Sequence, residues 1–342
     1  MGDRITLKDV ARKVGVRPET VSKVLNGKAH VSEETEQRIW QAVRELEYKP
    51  NIIARSLRSQ QSHTLGLSWR PAPPDQFNPI LDRFLQTVVE TARKSGYYIL
   101  PFPVTSDTSQ IKVYQELVDT NRVDGFILSS TNLDDQRIVY FQEINFPFVT
   151  FGRANPDWHF SSIDVDGTAG IRLVTEHLID LGHEKIAILA WPENSLSGRY
   201  RLEGYRQAMH IHDLTINDRW VIRSTHAVQS AREATARLLD LPASLRPTAI
   251  VALSDLMAVG AMKEATSCGL SVGHDIAVTG FDDIPMAQFL TPPLTTLRQP
   301  IQKVGQLSIE RLLQIIRKEP VDEDLILLEP ELIVRASSTG IE

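Results

Sequence analysis

Apolar residues return along this chain at two different spacings, and the spacing changes near residue 64. Before it they recur every three or four positions: Leu7, Val10, Ala11 and Val14, then Val21, Val24 and Leu25, then Ile39, Trp40, Val43 and Leu46. That period lines one face of a helix, so it predicts three short helices. Thr6 followed by Asp9 reads as the start of the first, Pro18 sits in the first turn of the second, and Ser32 caps the third. Gly15 joins the first two, because glycine enters left-handed backbone without cost. Asn26-Gly27 closes the second helix. The three apolar faces are expected to make one small core.

From residue 64 onward the pattern alternates. Short apolar runs at 64–69, 97–102, 125–129, 148–151, 185–190, 249–252 and 276–280 read as strands. Amphipathic stretches at 80–94, 111–121, 170–181, 200–210, 230–239 and 256–266 lie between them. Unbroken apolar strands alternating with helices predict parallel sheets covered on both faces. The units form two sets, which predicts two doubly wound lobes with a break near 157–162. Ligands in such folds bind beyond the strand carboxyl ends, here the cleft between the lobes.

Charge separates the two regions further. Residues 1–60 hold 12 Lys and Arg against 8 Asp and Glu, while the rest hold 25 against 35. A basic head on an acidic body points the head at a polyanion, although a chance fluctuation of surface charge gives the same counts. The apolar runs fall well short of the roughly 18 residues of a membrane helix. Asp3, Arg4, Lys8 and Asp9 interrupt any N-terminal signal core, so a cytoplasmic protein with no membrane partner is expected. The single cysteine, Cys268, excludes an internal disulfide, and its place at a helix end predicts a buried packing residue.

Two helices on a glycine turn also occur outside DNA binding, but this spacing suits a helix-turn-helix, whose second helix enters the major groove. There Lys23 can donate to guanine O6/N7, and Glu19 can accept from a cytosine amine. Arg17, Thr20, Ser22 and Lys8 are better placed for phosphates. Residues 51–58 make an eight-residue helix too short to hold alone in water. Its Leu57, flanked by Arg55 and Arg58, suits a minor-groove wedge, and a plain linker over 51–63 is the competing reading.

These residues resemble the lactose-repressor/galactose-repressor (LacI/GalR) family of bacterial transcription regulators. The resemblance rests on Thr6-Leu7-Lys8-Asp9-Val10-Ala11, Gly15-Val16, Thr20-Val21-Ser22, Val24-Leu25-Asn26, Val31-Ser32, Pro50-Asn51 and Ala54-Arg55-Ser56-Leu57. It implies base reading by Pro18, Glu19 and Lys23, further DNA contacts from Leu7, Asn26, His30 and Arg58, and a hinge-helix wedge at Leu57. Arg17 and Pro18 depart from the small or polar residues commoner there, which bears on the preferred base sequence. The body resembles the family's effector-binding core through Asp124-Gly125-Phe126-Ile127, Arg201-Leu202-Glu203-Gly204-Tyr205, Ser254-Asp255, Gly280-Phe281-Asp282-Asp283 and Pro293-Leu294-Thr295-Thr296.

Arg201 and Asp282 match ligand-contact positions of that core. A guanidinium fork and a carboxylate together suit a polyhydroxy ligand such as a sugar, and an ordinary salt bridge between the lobes is the plainer alternative. Arg153 matches a pocket position, and Ser254 stands where relatives often have Asn. Asp255 is expected to cap the helix that follows. Trp69 and Phe77, on a proline-rich loop after the first strand, either stack on a flat ligand or pack the loop down; Trp191 is a weaker candidate of the same kind.

Gly167-Thr168-Ala169-Gly170 lacks the third glycine and the lysine of a phosphate loop and reads as a helix start. Asp164, Asp166, Asp282 and Asp283 have no spacing that completes a metal shell. The histidines lie in no catalytic context, so no enzyme, catalytic residue, metal or cofactor is expected. The expected architecture is a small all-α helix-turn-helix DNA-binding domain over 1–50, a hinge over 51–63, and an α/β two-lobed, periplasmic-binding-protein-like (type I) sensor over 64–342. The expected function is an effector-controlled repressor, a homodimer on a palindromic double-stranded operator. A sugar-binding or transport protein without a regulatory role is the alternative, and a nucleobase is the alternative effector. After Arg335 the chain has no leucine-rich tetramerising tail, which favours the dimer.

Overall fold

A computed structural model of the chain describes residues 5–25, 31–48, 61–69, 78–104 and 110–340. Its contacts divide into two compact units, 1–62 and 63–342.

In the first unit, helices α1 (Leu7–Val14), α2 (Pro18–Leu25) and α3 (Glu33–Glu45) enclose Val10, Ala11, Val14, Val21, Val24, Ile39 and Ala42. The Asp9 carboxylate accepts from the Thr6 backbone N–H at 2.9 Å and from its hydroxyl at 2.6 Å, closing the first turn of α1. Gly15 takes φ +75°, and its N–H returns to the Ala11 carbonyl, so the chain leaves α1 at once. Arg38 donates to the Val14 carbonyl at 2.7 Å, which ties α3 to the end of α1. Trp40 departs from expectation: it is 38% exposed. One helical residue rotates a side chain by about 100°, so with Ile39 in the core Trp40 turns away from it.

The second unit has two lobes. The first lobe is built on a parallel sheet in the order β11-β5-β4-β3-β1-β2. Its strands are β1 (Thr64–Trp69), β2 (Tyr98–Pro103), β3 (Gly125–Ser129), β4 (Phe148–Phe151), β5 (Ser162–Val165) and β11 (Leu325–Leu328). Helices α4 (Pro79–Lys94), α5 (Gln110–Asp119) and α6 (Gln136–Glu143) connect the earlier strands. The second lobe has the parallel order β7-β6-β8-β9, from β6 (Ile186–Ala190), β7 (Val221–Arg223), β8 (Ala249–Ala252) and β9 (Ala277–Thr279). Its helices are α7 (Gly167–Asp180), α8 (Leu196–Ile211), α9 (Val228–Leu239) and α10 (Asp255–Ser267). A small antiparallel pair, β10 (Thr296–Arg298) with β12 (Glu331–Ile333), and the short α12 (Ala336–Thr339) complete the fold. Strands β3, β6 and β8 are buried at every residue, which is why they read as continuous apolar runs.

Three crossings join the lobes, and none lies at 157–162. Strand β5 pairs with β4 inside the first lobe, so the chain first crosses at Asp166, just before α7. It returns at Gln299-Pro300 into α11 (Ile301–Ile316), which packs on α4, β3, β4 and β5. It crosses again between β11 and β12. Strand β5 was hard to see because it carries Asp164 in its interior. Cys268 is exposed. Helix α10 ends one residue before it, and Leu270 donates its N–H to the Ala265 carbonyl and packs on the core instead. Among the described residues no helix is long and apolar enough to cross a membrane.

Candidate functional site

The first unit offers one helix face. Val21 and Val24 turn α2 inward, which leaves Glu19 and Lys23, one helical turn apart, exposed on the outer side. Arg17 and Lys8 are exposed, while Pro18, Thr20 and Ser22 are half-buried. Leu7 packs against the core. Asn26, His30, Leu57 and Arg58 lie outside the described residues.

In the second unit the strand ends of the two lobes converge on one cleft of about 230 Å³. The first lobe supplies Ser129 at the end of β3 with Ser130 and Thr131 after it, Arg153 after β4 and Asp164 within β5. The second supplies Trp191 after β6, Arg201 from α8, His226 after β7 and Asp282 after β9, and Gln299 enters from a crossing.

Arg201 is the centre of the second lobe's contribution. Its Nη1 donates to the Leu253 carbonyl at 2.5 Å. Its guanidinium carbon lies 3.6 Å from the ring centroid of Phe281 and 4.6 Å from that of Trp191. A planar cation fits between flat faces in this way, and lysine does not. Trp191 is held in turn by its Nε1 donating to Met257 Sδ and by edge-on contact with His226. His226 is exposed, yet packing against the cleft and the nearby Arg201 charge hold its imidazole below the usual value.

Asp282 reaches the cleft through unusual backbone. Asp282 takes φ +130° and Asp283 φ +47°, both in the region that favours glycine. Four side chains from neighbouring elements hold this turn: Asp255, Arg298, Arg335 and Gln299. The Asp255 carboxylate accepts from the Ile284 N–H at 2.8 Å and from the Thr296 hydroxyl. The Asp283 carboxylate accepts from Arg298 and from Arg335, each at 2.7 Å. Gln299 Nε2 donates to Asp282 Oδ1 at 2.6 Å. Burial pushes the Asp282 carboxyl up to about 8, against the pull of Arg201. Burial also raises Asp164, although Arg153 donates to it at 2.8 Å.

Two expectations exchange places here. Ser254 is fully buried and caps α10, accepting from the Met257 N–H, so it does not face the cleft. Asp255 staples the 282–284 turn instead of capping. A serine hydroxyl can reach back to its own helix, which frees the next carboxylate for a neighbouring loop. Trp69 is half-buried at the end of β1 and is not part of the cleft wall among the described residues. Phe77 lies outside those residues. Trp191, the weaker aromatic candidate, is the one in the wall. His226, Gln299 and Asp164 line the cleft as well, and the sequence reading did not place them there. The signal for His226 was the strand-end rule, which needed the three-residue β7 to be recognised first.

Two family descriptions match the chain: "Bacterial regulatory proteins, lacI family" over residues 6–51 and "Periplasmic binding protein-like domain" over 175–338. The ribose operon repressor of Escherichia coli K12 is 34% identical over 97% of this chain and 99% of its own length. The crystal structure of a LacI-family regulatory protein from Chloroflexus aggregans is 47% identical, covers 82% of this chain and 99% of that one, and has a TM-score of 0.78. The lac repressor dimer bound to operator and the anti-inducer ONPF is 31% identical over 98% of this chain and 100% of that one, with a TM-score of 0.83.

Proposed function

The chain belongs to the lacI family of bacterial regulatory proteins, and from that premise we propose a repressor whose grip on a palindromic operator is set by a sugar held between its lobes. One observation carries the sensing half of this reading: Arg201 and Asp282 of the second lobe and Arg153 and Asp164 of the first face a single cleft of about 230 Å³. Carboxylates accept from ring hydroxyls, guanidiniums donate to them, and Trp191 offers an apolar face to the ring's C–H side. The volume favours one sugar ring over two. The name of the ribose operon repressor supports the same class.

In the DNA-reading half, Glu19 and Lys23 meet base edges from the outer face of α2, with Pro18 beside them. Arg17, Lys8, Thr20 and Ser22 take phosphates. Two copies related by a twofold axis present one head to each half-site. Leu57, in the hinge over 51–63, wedges the centre of the operator. A ligand that prefers one arrangement of the lobes shifts the hinges and hence the operator affinity, by linkage.

Thermal unfolding of the full chain tests the effector class, with D-ribose, D-glucose, D-galactose, cellobiose and hypoxanthine as separate probes. A ligand at about a hundred times its Kd stabilises by about 2.7 kcal/mol, which moves the midpoint by several degrees. A monosaccharide is expected to give that shift, and Asp282→Asn to remove it. A shift with hypoxanthine alone overturns the sugar class while leaving the regulator reading intact.

A further inference from the structure

Arg153 does more than line the cleft. It follows β4 in the first lobe, and its Nε donates to Asp164 of β5 at 2.8 Å, so this ion pair lies within one lobe. The Thr131 hydroxyl donates to its backbone carbonyl at 2.8 Å, which fixes the segment that presents it. Its guanidinium carbon then lies 3.5 Å from the ring centroid of Tyr200. Tyr200 belongs to α8, in the second lobe. This is face contact between a planar cation and an aromatic ring, an attraction that strengthens as water is excluded. Both side chains are mostly withdrawn from solvent.

Tyr200 itself is anchored on its own lobe. Its backbone carbonyl accepts from the Thr168 hydroxyl at 3.0 Å, which ties this turn of α8 to α7. The next residue, Arg201, is clamped between Trp191 and Phe281. Neighbouring residues on one helical turn therefore serve different partners: Arg201 holds the second lobe's wall together, and Tyr200 reaches the first lobe.

We propose that Tyr200 positions Arg153, and that the stacked pair is a latch fixing the two lobes in the arrangement seen here. Asp164 takes the edge of the guanidinium and leaves its flat face for the ring. The latch sits on a cleft cation whose side-chain contacts reach both lobes, so lobe separation must break the stack while the Arg153–Asp164 pair survives. A ligand in the cleft meets Arg153 directly. That last consequence rests on the regulatory reading above, whereas the latch holds whatever the cleft binds.

The interlobe distance in the ligand-free full chain tests this. Cys268→Ser removes the exposed native thiol. Glu143→Cys in α6 and Arg206→Cys in α8, both at exposed positions, carry spin labels, and the labelled protein is diluted with unlabelled chain. Pulsed electron–electron resonance then reads the distance distribution. Tyr200→Phe keeps the ring and is expected to reproduce the parent distribution. Tyr200→Leu keeps the helix but loses the ring, and is expected to broaden the distribution and lengthen it by several ångströms. Arg153→Gln is expected to do the same, and the double variant to open no further than either single one. The proposal is overturned if the Tyr200→Leu distribution superimposes on the parent, if Tyr200→Phe opens as far as Tyr200→Leu, or if the two single effects add.

Discussion

Asp282 shows what a single residue costs and what it gains. Residues in sparsely populated backbone regions cost of order 1–3 kcal/mol each, and Asp282 and Asp283 are consecutive. Asp255, Arg298 and Arg335 over-determine that turn and aim a carboxyl into the cleft. Its raised pKa has a signed consequence. With a folded value of about 8 above an ordinary 3.8, the folded state holds the proton more tightly, so this group stabilises at low pH and that stability is lost as pH rises toward 8. Urea unfolding at pH 6 and pH 8.5 is expected to show wild type losing stability relative to Asp282→Asn; parallel changes in the two proteins contradict it. On the DNA side, Lys23→Ala is expected to cost about 1–3 kcal/mol on the selected operator and to relax one base position, whereas Lys8→Ala weakens all duplexes alike. Anisotropy titrations against a set of single-base operator variants separate the two. Arg201 and Asp282 were legible in the sequence because their chemistry matches their motif. Asp255 was not, because a hydroxyl one residue earlier took the cap that its position suggests.

Elements were legible where burial is two-sided and hidden where they are short. The fully buried β3, β6 and β8 declare themselves as apolar runs. β7, β10 and β12 have three residues each and leave too little pattern to read. Helix α11 is different: Ile301, Val304, Ile309, Leu312 and Leu313 keep a helical period that is legible in the sequence. Missing it, together with β5 and β11, put the break between lobes too early and hid two of the three crossings. The motif Arg201-Leu202-Glu203-Gly204-Tyr205 now has a packing reason as well. A Cβ on Gly204 would stand 2.2 Å from the Thr168 carbonyl oxygen of α7, which is backbone and cannot yield cheaply. Gly204→Ala is therefore expected to push α8 off α7 and destabilise the sensor by about 1–3 kcal/mol in chemical denaturation, despite alanine's better helix propensity. An unchanged or raised midpoint contradicts that packing.

At the scale of the whole molecule, the two units divide the work, with a basic helical unit for the polyanion and an acidic two-lobed unit for the ligand. The sequence showed this division through the change of hydrophobic period near residue 64 and the reversal of charge. It could not show which side chains share the cleft, since these come from six strands, helix α8 and a crossing that only the fold assembles. The claim on which the rest depends is that the helical unit reads DNA sequence. The direct measurement starts by selecting duplexes from a random library with the full chain, then compares the selected and scrambled duplexes by fluorescence anisotropy at physiological salt. A palindromic selected site bound at least about a thousandfold more tightly, with affinity falling steeply as salt rises, is the expected result. Equal affinity for selected and scrambled duplexes would contradict it.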